Sequence, residues 1–293
     1  MLPRLIFVTG KGGTGKSTVA AALAVALART HPATLADLDQ RLSAARILGV
    51  APNGGATVAV DERLEVAALT PRAELEAFIH RIVPLRPVSR RMLKSRTFAY
   101  VTAALPGLEA FLMLERLRLM AGRAALENRY AVIDAPASGS ALELLSAAQA
   151  AGNLAPIGTL NRLAAAADEF LRDPHRFGAL LTVRPEELAL REALETAAAL
   201  RDRLGIRCVA AALNGVVDAL FAPAEIAKIH RLGAHARMAE RRRATAEFAA
   251  RARLELEREG ITVIELPMLF RETLGRTELE TLADPLAAAL HEP

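Results

Sequence analysis

Short apolar runs alternate with longer stretches whose apolar positions recur every three or four residues, and this alternation is the main architectural signal in the chain. Runs at 5–8, 33–38, 64–69, 130–133, 179–183, 206–213 and 261–266 have strand length and end in small, polar or charged residues. An Ala-rich run at 18–28 reads as a helix, and so does 71–83, where Pro71 takes the first helical position after Thr70. From Pro106 to about Arg123 a helix carries Ala110, Met113, Leu114, Leu117, Met120, Ala121 and Ala124 as one broad stripe. Such a stripe is ordinarily core, although its two methionines leave open a client-binding surface. A helix is expected at 185–204. The polar, mostly helical stretch 223–259, with Arg241-Arg242-Arg243 and Glu247 four residues before Arg251, reads as a surface helix. Strands alternating with helices predict an α/β fold with a doubly wound, mostly parallel sheet.

With 293 residues and 52% hydrophobic content, the chain can bury one large core, so 1–293 is taken as a single domain. The helical segment at about 71–127 is a candidate partner- or client-binding subdomain. The net charge is only +4 and there is no long basic tail, so charge does not indicate nucleic-acid binding. Arg86, Arg90, Arg91, Lys94 and Arg96 form a local basic run, with no acid before Glu109. It is either a solvated face or a surface for an anionic partner, lipid headgroups included. Cys208 lies inside an apolar run and reads as a small buried hydrophobe, which suits a reducing cytoplasm. No signal peptide is read at the N-terminus, and the longest uncharged stretch, 144–161, contains too many polar residues for a membrane span. The six histidines show no ligand spacing beyond His230 and His235, so no metal other than magnesium is supported.

The most specific chemical signal is Gly10-Lys11-Gly12-Gly13-Thr14-Gly15-Lys16-Ser17, which fits G-x-x-x-x-G-K-[ST] and lies between a strand and a helix, as that motif requires. An ordinary strand-to-helix turn would not need those flanks. Glycine N–H groups can curl around phosphate oxygens, and the following helix start adds partial positive charge. Lys16 is then expected to reach the β- and γ-phosphates of ATP, with Ser17 ligating magnesium. Of 37 basic residues only four are Lys, and Lys11 and Lys16 both fall in this loop, where a compact ammonium threads among amides better than a planar guanidinium. Two acidic strand ends accompany it. Asp37-Leu38-Asp39-Gln40 closes the second strand, where the aspartates either cap the next helix or face a ligand; with the loop upstream, Asp39 is the candidate to position water. Asp134 ends a buried-type strand and is the expected magnesium-side acid, followed by a small-residue turn over 135–140 placed to move with the γ-phosphate.

Residues Gly10 to Thr18, Asp134 to Ser140 and the closing Leu266-Pro267-Met268-Leu269-Phe270-Arg271-Glu272-Thr273-Leu274-Gly275 together resemble the ArsA family, whose members are arsenite-pump ATPases and the guided-entry ATPases that target tail-anchored membrane proteins. These are P-loop NTPases of the deviant Walker A, SIMIBI type. Gly10 to Thr18 match the family's G-K-G-G-[VT]-G-K-[ST]-[ST] in full, and Pro267, Leu269, Glu272 and Gly275 match P-x-L-x-x-E-x-x-G. The resemblance implies a cytoplasmic, magnesium-dependent ATPase working as a nucleotide-switched homodimer, with a protein client or membrane-associated partner and a role in membrane-protein targeting or handling. It further implies that Lys11 reaches across the dimer to the partner's nucleotide, that Asp39 orients the attacking water, that Asn214 reads adenine, and that the Pro267 loop lines the same pocket.

The chain also departs from the family pattern. The usual D-T-A-P-T-G-H is replaced by Asp134-Ala135-Pro136-Ala137-Ser138-Gly139-Ser140, and Gln40 stands where proline is common. There is no C-x-x-C pair for a zinc-stapled dimer and no cysteine cluster for arsenite. Two other readings stand beside the leading one: a ParA- or MinD-like positioning ATPase, and a non-hydrolysing, ATP-dependent dimerisation switch.

Overall fold

A computed structural model describes residues 2–38, 41–52, 56–83, 85–93, 95, 107–154, 157–228 and 233–290. Its eight strands are β1 (Leu5–Gly10), β2 (Ala33–Asp37), β3 (Thr57–Ala59), β4 (Leu64–Ala68), β5 (Tyr130–Ala137), β6 (Phe177–Val183), β7 (Cys208–Val216) and β8 (Val263–Pro267). They form one sheet in the order β3-β4-β2-β5-β1-β6-β7-β8. Every pairing is parallel except that of β3 with β4. The expected doubly wound, mostly parallel α/β sheet is therefore present. From β1 the chain first builds the β2–β4 side and later the β6–β8 side, so the strand order reverses at the centre. In open α/β sheets, ligands bind outside the carboxyl ends of the strands at such a reversal.

Both faces of the sheet are covered. Leu5 and Phe7 point into one apolar cluster while Ile6 and Val8 point into the other, the period-two alternation of a strand buried on both sides. Helices α1 (Lys16–Ala28) and α2 (Ser43–Ile47), together with the last helix, α11 (Arg276–Leu290), cover the Ile6 face. Ten consecutive residues of α1, from Val19 to Ala28, are buried. Its alanines allow this close approach to the sheet, and a fully buried Leu23 contributes about 2 kcal/mol.

After β4 come α3 (Pro71–Ile82), α4 (Arg86–Leu93), α5 (Leu108–Leu126), α6 (Ser138–Leu154), α7 (Thr159–Arg172), α8 (Glu187–Ala198), α9 (Pro223–Lys228) and α10 (Ala234–Arg258), of which α5 to α8 and α10 bury residues in the cluster on the Phe7 face. Thr70 caps α3 by accepting from the Ala73 N–H, with Pro71 behind it as expected. The α5 stripe is core: Met113, Leu114, Leu117, Ala121 and Ala124 are buried in the cluster on the Phe7 face. Among the described residues, no helix is long and apolar enough to cross a membrane.

The structure corrects the sequence-based expectations at several points. Strand β3 was not expected; it is a three-residue edge strand whose two outer residues are exposed, so it carries no apolar run. The expected helix at 185–204 ends as a regular α-helix at Ala198 and continues as a π-helical turn over Ala199–Leu204. Among the described residues the stretch at 223–259 holds α9 and α10, and α10 buries Ala236, Ala239, Ala249, Ala252 and Leu256, so it is not simply a surface helix. Strand β5 runs past Asp134 to Ala137 because a register shift in β1 lets Gly10 pair with Ala137 while the Thr9 hydroxyl donates to the Pro136 carbonyl at 2.8 Å. The small-residue turn expected over 135–140 is absent: the strand passes directly into α6 at Ser138.

Candidate functional site

The glycine loop leaves the C-terminal end of β1 and enters α1 at Lys16, on the sheet edge where the strand order reverses. Gly13 and Gly15 have φ of +85° and +89°, which glycine adopts without steric cost. Side chains at Gly12 or Gly13 would meet nothing within 4 Å, so the loop faces open space on the side where a phosphate would sit. The loop is braced from within, since the Thr14 hydroxyl donates to the Lys11 carbonyl at 2.8 Å and Lys16 Nζ donates to the same oxygen at 3.4 Å. Ser17 and Thr18 follow in the first turn of α1, partly exposed.

Asn214 closes the loop from the β7 side. Its Nδ2 donates to the Thr14 carbonyl at 2.9 Å, and a Cβ at Gly15 would stand 2.4 Å from that nitrogen. The side chain expected to read adenine is thus fixed to the phosphate loop in this structure.

The acids sit on the other side of β1. Asp37 and Asp134 are register partners on adjacent β2 and β5, and both are buried. Asp37 Oδ2 accepts the backbone N–H groups of Ala44 at 3.1 Å and Ala45 at 3.4 Å, so it caps α2. Asp39 lies outside the described residues. Among the described residues, no group of three or more His, Cys, Asp and Glu side chains gathers to hold a metal. Magnesium fits what is present, because it binds through one or two protein oxygens and takes the rest from water and substrate phosphates. Ser17 and Asp134 are hard oxygen donors of that kind.

Lys11 pairs with α8, its Nζ 3.5 Å from Glu192 Oε2. The other oxygen of Glu192 accepts the hydroxyl of Ser138, the buried first residue of α6.

Beyond Asn214 a cleft of about 620 Å³ opens along the C-terminal ends of β6, β7 and β8. Arg184 and Gly215 form its floor, Met268 and Phe270 one wall, and Phe221, Met238 and Arg242 the other. Arg242 lies over the Phe270 ring at 5.3 Å and donates to the Asp218 carbonyl at 2.9 Å, bridging the two walls. Pro267 pairs with Val216 at the end of β8, which places Met268 and Phe270 at the cleft.

The family model for anion-transporting ATPases, the ArsA ATPases, matches residues 3–155, just over half of the chain. The chain belongs to this family. It is also similar to the ATPase BagA of Mycobacterium tuberculosis and to a Mycobacterium bovis protein that likewise carries the name ATPase. Each is 29% identical over 203 residues, 66% of this chain and 59% of the relative. The chain thus spans less than two thirds of the length of these relatives.

As an ArsA-type chain, the protein brings Gly10, Lys11, Gly12, Gly13, Thr14, Gly15, Lys16 and Asn214 into one constellation, with Pro267 one strand away on β8. Sequence reasoning missed Glu192, whose partners Lys11 and Ser138 are far from it in the chain and which looks like any other solvated helix acid. It also missed the α10 wall of the cleft. There the signal was Met238 and Ala239 at the start of an otherwise polar helix, a short apolar face outweighed by the charges around it.

Proposed function

We propose that the chain binds and hydrolyses ATP with magnesium and works as a nucleotide-switched homodimer, with a role in membrane-protein targeting or handling. The observation that carries this reading is the phosphate loop: Gly12 and Gly13 facing open space after the central strand, Lys16 at the start of a buried helix, and a cleft lined by Gly215, the neighbour of the Asn214 that bonds the loop. Lys16 would turn from the Lys11 carbonyl to the β- and γ-phosphates. Ser17 and Asp134 would hold magnesium, which neutralises phosphate charge when bound. The cleft between Phe270 and Met238 would take the base, with Asn214 and the residues after Pro267 at its inner end. Asp39 keeps the role of water-positioning residue, because Asp37 is engaged in capping α2.

Calorimetric titration with ATP and magnesium tests this. One charge-assisted contact to phosphate is worth about 1.5–3 kcal/mol, so Lys16→Ala should weaken affinity at least about tenfold. Unchanged affinity in that variant would remove the phosphate-loop assignment.

A second reading, a dimerisation switch with negligible turnover, is favoured by the direct passage of β5 into α6 and by the hold of Glu192 on Ser138. A turnover assay separates the two. Asp39→Asn should leave binding intact and slow hydrolysis, whereas a wild type that binds ATP without hydrolysing it establishes the switch.

A further inference from the structure

A single carboxylate joins the phosphate loop to the head of α6. Glu192 holds Lys11 of the phosphate loop through Oε2 and, through Oε1, Ser138, which follows directly on the strand carrying Asp134. The carboxylate rests on a rigid support. Ala189, Leu190, Ala193 and Ala197 bury the other face of α8 in the core, and the Thr196 hydroxyl donates to the Glu192 carbonyl at 2.6 Å. Lys11, by contrast, carries its ammonium on a flexible four-carbon stem between Gly10 and Gly12. Both side chains of the pair are 35% exposed, so an anion arriving from solvent can compete for the ammonium. The two loop lysines therefore have different partners: Lys16 donates inside the loop, and Lys11 pairs with Glu192 on α8.

We propose that Glu192 is a positioning residue for Lys11: it holds the ammonium on α8 in the nucleotide-free chain, and phosphate must displace the carboxylate before Lys11 can face a nucleotide. Once Lys11 leaves, Glu192 keeps Ser138 alone, so occupancy of the phosphate loop is registered at the head of α6. The proposal rests on the phosphate-loop reading above. An ion pair at this exposure shifts an equilibrium by about two- to fivefold, which sets the expected size of the effect.

The test uses Glu192→Gln, which keeps the shape and can still accept from Ser138 but removes the charge that holds Lys11. Without nucleotide, acetylation of Lys11 relative to Lys228, read by mass spectrometry, should rise at least about twofold, since the amine is no longer paired. With a non-hydrolysable ATP analogue, affinity should tighten by about two- to fivefold at low salt, and the gain should shrink at high salt. In a Lys11→Ala background Glu192→Gln should have no effect on analogue binding, an outcome that a merely structural role for Glu192 would not give. Unchanged Lys11 labelling overturns the proposal, as does unchanged or weaker analogue binding, or an effect that persists in the Lys11→Ala background. Analogue binding that ignores Glu192→Gln overturns the proposal alone. A labelling response in a chain that binds no analogue removes the phosphate-loop reading and the proposal with it.

Discussion

A methyl group at Gly10 would lie 2.3 Å from the Thr182 carbonyl oxygen of β6, at a φ of +149°, so neighbouring backbone leaves no room for a side chain there. Gly10→Ala should cost about 2–5 kcal/mol through strain and overpacking, read as a lower urea midpoint with unchanged slope. Two residues on, Gly12 has open space around its Cα and a φ outside the left-handed range. Gly12→Ala should change stability by no more than about 0.5 kcal/mol while weakening ATP-analogue binding, because the methyl takes space offered to phosphate. Equal losses of stability in the two variants would mean that the loop glycines serve folding alone. Cys208 gives a residue-scale pH effect. Burial pushes its thiol from 9.0 up to about 12, so above pH 9 the unfolded chain releases a proton that the folded chain retains. Stability contributed by the neutral thiol is thus lost as pH rises from about 9 towards 12, and Cys208→Ala should flatten that part of a urea-midpoint profile. A profile unaltered by the substitution would place the alkaline loss elsewhere.

At the scale of elements, what the sequence displayed depended on how much of each element is buried. Strands β1, β2, β5 and β6 lie inside the sheet, and their apolar runs marked them within a few residues. Strand β3 lies at the edge and had no run to show. The phosphate loop was legible because its glycines are demanded by local backbone geometry, whereas the Glu192 pairing and the tie between Asn214 and Thr14 exist only once distant elements meet. Helix α10 is the instructive case: its charges announce solvent, but its first turns face the cleft through Met238, Ala239 and Arg242. Phe270 should therefore act with α10 on the base and not on the phosphates. Phe270→Ala removes an aromatic wall and the Arg242 stacking contact, together worth about 1 kcal/mol, so ATP-analogue affinity should fall about fivefold. Affinity for inorganic tripolyphosphate should stay the same. Calorimetry with both ligands decides, and a parallel loss for tripolyphosphate would mean that the cleft does not hold the base.

For the whole molecule, the position of Lys11 bears on association. A second cation beside Lys16 would be poorly placed within one subunit, and in this structure the Lys11 ammonium instead pairs with Glu192 of α8. In a symmetric dimer the same residue from each copy can reach the other's phosphates, so a single substitution removes both contacts. Such a contact forms only in the closed state, and nucleotide can favour closure only through that difference. Wild type should therefore gain mass towards a dimer when a non-hydrolysable ATP analogue and magnesium are added, as measured by light scattering across protein concentrations. Lys11→Ala should keep most of its analogue affinity as a monomer, because Lys16 and the loop amides remain, but lose both the mass gain and turnover. If wild-type mass is indifferent to nucleotide, or if Lys11→Ala dimerises and hydrolyses normally, Lys11 has no role across a dimer and its pairing with Glu192 belongs to the single chain.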